Sequence, residues 1–422
     1  MSAIVAVLNR HGVSIAADSA VTLGNTHKVV NSGNKIFTLS KYYPVAIMTY
    51  SNASFMNVPW DIIIKEYRKS LQQRSFPKLS DYQDDFIKYV VKNNFFCDDE
   101  TQHIFLQSQI RNFYEINLKI ASSKSKIQDF SDPNLYSFLI TEFNECSLAN
   151  STSAKCPMFE DYTKEDFLKY SKEDFDAFYN GKYPQIIKDQ DKTIFEESYF
   201  QYLRVQIETT NYTGLVFVGY GEEEIYPSLI PVNASIAFDG RWKYFVDESR
   251  IGIIGDKYSN AIVSPFAQID VVQTIIRGIN PGLKDIVTSI VRNSTASLVK
   301  HIKQKVNLIP GDNKNKADIL AFDENPIIDD IVNSINQNMF NYYTQPLLET
   351  IVNLDKDDMA NMAESFIALT SLIRRMSPGE ETVGGPVDVA FISKGDGFVW
   401  IKRKHYFKPD LNHCFFENYY KL

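Results

Sequence analysis

The order in which hydrophobic periodicities follow one another constrains the fold of this chain more than any other feature. Ala3 to Val7 and Val13 to Ala17 are apolar, β-branched runs joined by Asn9-Arg10-His11-Gly12, the pattern of a hairpin. Lys35 to Leu39 and Val45 to Thr49 form a second pair across Ser40-Lys41-Tyr42-Tyr43-Pro44. From Val58 the spacing turns helical, with Trp60, Ile63, Ile64 and Tyr67 on one face, and a second helix follows Ser80 with Phe86, Tyr89 and Val90. Strand patterns return at Gly214 to Gly219, Ser228 to Val232, Ile236 to Phe238 and Ile251 to Ile254. Helix is then expected from Pro265 through Lys305, broken at Asn280-Pro281-Gly282. A further helix, capped by Asp357 or Asp358, is expected to run to Met376 with Met362, Phe366, Leu369 and Ile373 inward. The last pattern is a hairpin, Val387 to Ser393 and Phe398 to Lys402, around Lys394-Gly395-Asp396-Gly397. Paired strands, two helices, paired strands, two helices and a hairpin predict an α+β protein with two antiparallel sheets covered by helices.

Composition narrows the function classes. At 422 residues, 44% hydrophobic and 23% charged, the chain can bury a large core. Lys and Arg total 44 against 52 Asp and Glu, a net charge of −8, and no basic run offsets it, so nucleic acid is not an expected partner. There is no signal-like leader and no run of about 18 apolar residues, so a soluble, cytoplasmic protein with no membrane partner is expected. Cys97, Cys146, Cys156 and Cys414 lack CxxC spacing and read as reduced structural thiols. The six His residues show no ligand spacing, so neither a metal nor another cofactor is called for.

Several stretches resemble proteasome β-subunits and the related bacterial ATP-dependent peptidase, members of the N-terminal nucleophile hydrolases. The first block is Ser2-Ala3-Ile4-Val5-Ala6-Val7, Gly12 to Ser19, Thr22-Leu23-Gly24-Asn25 and Lys35. The second, Leu215 to Tyr220 with Glu222, Glu223 and Pro227-Ser228-Leu229, is similar to the central hairpin of those subunits. The third, the helix ending at Met376 followed by Thr382-Val383-Gly384-Gly385, resembles their last core helix and its S-G-G loop. The resemblance implies a four-layer αββα sandwich. It puts the core at 1–96 with 212–305 and 350–408, a helical insertion at 97–211, a loop and helical insertion at 306–349 and a tail at 409–422. It also implies a peptide or amide substrate, a homo-oligomer and an ATP-dependent unfoldase as partner.

The same resemblance assigns site residues. Ser2 falls on the N-terminal nucleophile, exposed once Met1 is removed, Asp18 and Lys35 on the Asp and Lys that serve it, and Glu380 on an Asp beside the S-G-G loop. Thr22 would line the substrate cleft, and Tyr50 or Ser51 would supply the backbone amide of the oxyanion hole. Here the sequence departs from the family, with Val383 where the loop has Ser and Asp256 where another Ser follows a strand.

The chemistry stands on its own terms. A serine hydroxyl is inert until a base takes its proton as it attacks. A free α-amine titrates near 7.7 to 8.0 and so can be that base, directly or through one water. The cation of Lys35 would hold the amine neutral, and Asp18 would pair with Lys35 and fix it. On this sequence the expected activity is amide-bond hydrolysis through an acyl-enzyme. The alternatives are an inactive assembly module of the same fold and a small-molecule amidase.

Overall fold

The computed structural model describes residues 2–23, 28–209, 211–307, 313–377, 383–405, 407–414 and 417. The chain opens with β1 (Ala3–Asn9) and β2 (Gly12–Ala17), then a short ribbon, β3 (Val21–Leu23) and β4 (Lys28–Val30). Next come β5 (Ile36–Thr38), β6 (Val45–Ser51), β7 (Ser54–Phe55), β8 (Val58–Pro59) and the helices α1 (Trp60–Leu71) and α2 (Leu79–Lys92). Five helices follow: α3 (Asp99–Ser125), α4 (Leu135–Ser151), α5 (Lys164–Tyr170), α6 (Lys172–Tyr179) and α7 (Lys192–Arg204). Strands β9 (Thr213–Gly219), β10 (Ser228–Phe238), β11 (Arg241–Val246), β12 (Gly252–Ile253) and β13 (Ile262–Ala267) lead to a second helical run. That run is α8 (Asp270–Arg277), α9 (Pro281–Asn307), α10 (Asn313–Leu320), α11 (Asn325–Met339), α12 (Gln345–Val352) and α13 (Lys356–Met376), and the hairpin β14 (Asp388–Ser393) and β15 (Gly397–Lys402) follows it.

Contacts divide the chain into two compact units, Met1–Ser32 with Ile254–Phe391 and Trp400–Leu422, and Gly33–Ile253 with Ile392–Val399. One sheet is five-stranded, in the order β13-β1-β2-β14-β15, with β13, β1 and β2 in the first unit. β1 pairs antiparallel with both β2 and β13, with Ile4 opposite Ala17 and Ala3 opposite Ala267. Every residue of β1 and β2 is buried, which is why their sequences are apolar at consecutive rather than alternate positions. Ala3, Val5 and Val7 form one core with Val272 of α8, Ile351 of α12 and Met359, Ala363 and Ile367 of α13. Asn9 ends β1 and donates from its side-chain amide to the carbonyls of Ile351 and Leu354, satisfying the C-terminus of α12.

The second unit carries an antiparallel sheet in the order β11-β10-β9-β6-β5, with β12 on β10. α1 buries Trp60, Ile63, Ile64 and Tyr67, the face its spacing predicts. One continuous core runs from Ile47, Leu215 and Phe217 of the sheet through α1 and α2 into α3, α4, α5 and α7. Helices 97–211 therefore share their hydrophobic interior with this sheet, held by aromatic contacts such as Phe113 with Phe143 and Phe167 with Phe238.

Four expectations need correction. Residues 262–267 are the strand β13, not the start of a helix, and helix begins only at Asp270. Pro265 suits the first turn of a helix, but an edge strand also tolerates it because its missing N–H is not needed on the outer side. Ser228 to Phe238 is one strand where two were expected, and β11 beside it was not foreseen. The cap of α13 is Asp355, whose side chain accepts from Asp358 N–H. The buried face of α13 is Met359, Ala360, Ala363, Phe366, Ile367 and Thr370, while Leu369 and Ile373 are exposed. Ala360 and Ala363 thus share the inward face with Met359, Phe366 and Ile367, packed with β1 in one core.

Candidate active site

Ser2 stands immediately ahead of β1 and is 5% exposed. Its carbonyl accepts from the N–H of Gln268, which continues the β1–β13 ladder one step past Ala3 and Ala267. Asp18 follows the last residue of β2 and is 1% exposed. One carboxylate oxygen accepts from Ala3 N–H at 2.8 Å, and the other accepts from Ala20 N–H at 3.0 Å and Gly384 N–H at 3.3 Å. The Asp18 N–H returns a bond to Ala3 O at 3.1 Å, and Ser19 N–H reaches Gly384 O at 3.0 Å. A buried carboxylate is stable here because backbone donors replace water on both of its oxygens. The consequence is mechanical: Asp18 fixes the peptide that follows Ser2 and ties it to the Gly384 segment.

Behind this clamp lies a second, charged tie. Gln268 and Asp270 both accept from the Arg374 guanidinium, so the end of β13, the first turn of α8 and the last turn of α13 are joined next to Ser2. Ala267, just before Gln268, sits at φ +64, a backbone region that costs an alanine free energy. Neither Gln268 nor Arg374 stood out in the sequence. They lie about a hundred positions apart, and Pro265, which suits a helix start, masks the strand that brings Gln268 to Ser2.

The remaining site residues fall as follows. Lys35, one position ahead of β5 and in the second unit, is 4% exposed, and its carbonyl accepts from Thr49 N–H at 2.9 Å. Tyr50 and Ser51 end β6 opposite Gly214 and Thr213 of β9. The Tyr50 ring is buried and lies where a side chain on Gly214 would be: an added Cβ would meet ring carbons at 2.0 Å. Burial, with the neighbouring Tyr212 adding to it, pushes the Tyr50 phenol well above its ordinary pKa, so the group stays neutral. Ser51 is exposed and has φ +69, in the left-handed region that favours glycine. The loop is braced by Trp60, whose indole N–H donates to the Thr213 hydroxyl at 2.9 Å, while that hydroxyl donates to Asn52 O at 2.9 Å. Thr22 is part of β3, paired with Val29. Glu380 lies outside the described residues.

Among the described residues no group of three or more His, Cys, Asp or Glu is placed to hold a metal ion. No described helix is long and apolar enough to cross a membrane. The four cysteines are unpaired, and burial raises the Cys97 and Cys156 thiols to about 11. They are therefore thiols rather than thiolates near neutral pH.

The class defined by these elements is a mixed α+β protein with two antiparallel sheets and covering helices. No family model matches the chain, and no curated protein matches it. Among solved structures it is similar to a Gly-1 mutant of Anbu from Hyphomicrobium sp. strain MC1, at 8% identity, a TM-score of 0.29, and coverage of 99% of this chain and 95% of that one.

Proposed function

We propose that this protein is an N-terminal nucleophile hydrolase of proteasome type that cleaves peptide or other amide bonds through an ester on Ser2. The αββα sandwich, the homo-oligomer and an ATP-driven unfoldase partner belong to the same proposal. Removal of Met1 frees the Ser2 α-amine. The amine takes the Oγ proton as Oγ attacks the amide carbon, then passes it to the departing amine; water, activated by the same amine, hydrolyses the ester. Lys35 disfavours protonation of the amine, and the amide N–H at Ser51 or Tyr50 stabilises the tetrahedral oxyanion. Asp18 acts through the backbone, holding the peptide after Ser2.

The observation that carries this reading is the Asp18 clamp. Three backbone N–H groups, from Ala3, Ala20 and Gly384, converge on one buried carboxylate directly beside the residue proposed as nucleophile. A left-handed Ser51 in the loop proposed as oxyanion donor supports it, since strain of this kind persists where the surroundings fix it.

The test is intact-mass analysis before and after treatment with an electrophilic peptide. The expected chain lacks Met1 and gains one adduct, which Ser2→Ala abolishes while keeping its melting temperature. Retention of Met1, or equal labelling of Ser2→Ala, overturns the mechanism.

A further inference from the structure

We propose that the helical segment of the second unit holds a binding site for a small organic anion with a flat apolar body, separate from Ser2 and its chemistry. The site is a cavity of about 520 Å³ between α3 and the loop after α6. That volume is in the range of small-molecule pockets. Arg111, Tyr114, Glu115, Leu118 and Lys119 line it from α3, spaced so that they share one helix face. Phe130 lies on one side, and Lys182, Tyr183 and Pro184 on the other.

The floor is apolar and fixed. Tyr114 and Leu118 are buried, and the Tyr114 ring packs at 5.1 Å from that of Tyr183, which stacks in turn on Phe178 at 4.4 Å. The Tyr114 hydroxyl donates to Gln185 O at 2.7 Å and accepts from Gln185 N–H at 3.0 Å. The Gln185 side chain donates to the carbonyls of Phe130 and Asp132, at 2.8 Å each, so both loops flanking the cavity are stitched to α3. Gly181 allows this wall: a Cβ there would come within 2.5 Å of the Tyr183 ring. A rigid, preformed floor binds a flat group without a cost for ordering its own side chains.

The rim selects charge. Arg111, Lys119 and Lys182 are exposed, and none makes an ion pair or hydrogen bond among the described residues. Helix spacing would let Glu115 pair with Arg111 or Lys119, yet among the described residues neither pair forms. Three unpaired cations against one carboxylate, in a chain of net −8, make this a local basic site over an aromatic floor. A carboxylate, or a sulfonate or phosphate of the same geometry, would be met by Arg111 and Lys182, with its apolar body on Tyr114, Leu118 and Tyr183.

The experiment is calorimetric titration of the full chain with 2-naphthoate and with the neutral 2-naphthamide. Naphthoate is expected to bind saturably and about tenfold or more tightly than the amide, because the charge-assisted bonds exist only for the anion. Arg111→Glu and Lys182→Glu, both at exposed positions, are expected to weaken naphthoate by about tenfold while leaving the melting temperature unchanged. Ser2→Ala should bind it as the wild type does, so a failure of the hydrolase mechanism leaves this result untouched. Equal binding of acid and amide, unchanged affinity in both charge-reversed variants, or no saturable binding in the millimolar range overturns the site.

Discussion

A lysine ammonium moved out of water keeps its charge only at a cost in free energy, and Lys243 shows the size of that cost. It is 1% exposed in β11, donates to Tyr202 O at 3.2 Å, and has no carboxylate partner among the described residues. Burial lowers its pKa to about 8, with only a weak opposing effect from Cys156. Below pH 8 the amine is protonated in both folded and unfolded chains, so the full penalty applies. Between 8 and the ordinary value of 10.5 the unfolded chain binds a proton that the folded chain has released, so stability rises with pH. The difference corresponds to about 3 kcal/mol. Lys243→Met is therefore expected to be more stable than the wild type at pH 7, and the gap should close as pH rises from 8 to 10. Thermal melts of both proteins across that range check this; a pH-independent gap would show that the amine does not titrate as described. Asp18 is a different case, a buried side chain whose two oxygens both accept from backbone N–H groups. Asp18→Ala strands the N–H groups of Ala3, Ala20 and Gly384, at about 1–3 kcal/mol each. Its melting temperature should fall sharply, whereas Lys35→Ala should lose labelling by electrophilic peptides with a smaller change in stability.

At the scale of elements, the pairing of β6 with β9 carries a specific steric demand. Tyr50 lies across Gly214, and no side chain fits between them. Gly214→Ala is expected to destabilise by about 1–3 kcal/mol, the usual range for overpacking a filled interior. If the ring is the obstacle, adding Tyr50→Ala should make the second substitution nearly free, a strong non-additivity readable by chemical denaturation. Equal costs in both backgrounds would place the strain elsewhere. Elements of this kind were legible in the sequence where local pattern decides: the β1–β2 hairpin, the buried face of α1, the break at Asn280-Pro281-Gly282 and the final hairpin. They were not legible where a partner far along the chain decides. Pro265 reads as a helix start until β1 supplies a strand for it to pair with. Asp18 could be singled out beside Ser2, but its bond to Gly384, 366 positions away, leaves no local trace. The Arg374 tie to Gln268 is invisible for the same reason.

For the whole molecule, the proposed homo-oligomer draws support from exposed apolar residues of the first unit. On α13, Leu369, Leu372, Ile373 and Met376 are 41%, 50%, 43% and 77% exposed and recur at helical spacing, so they form one apolar stripe. On α9, Leu283, Ile286, Ile290 and Leu298 are each more than half exposed. That helix is also basic, with Lys284, Arg292, Lys300, Lys303 and Lys305 against Asp285 and, on α11, Asp329, which pairs with Arg292 at 3.8 Å, in a chain whose net charge is −8. An acidic molecule that displays a basic helix offers complementary charge to a second copy of itself, and apolar stripes of this extent mark surfaces that bind protein. Native mass measurement at low salt is expected to give an integer multiple of the chain mass. Raising the salt should favour smaller species, because exposed charges are screened within about 8 Å at physiological ionic strength. Leu372→Glu with Ile373→Glu, at positions 50% and 43% exposed, should shift the population to monomer without lowering secondary structure. A wild-type monomer at low salt would remove the homo-oligomer from the proposed function and favour the small-molecule amidase.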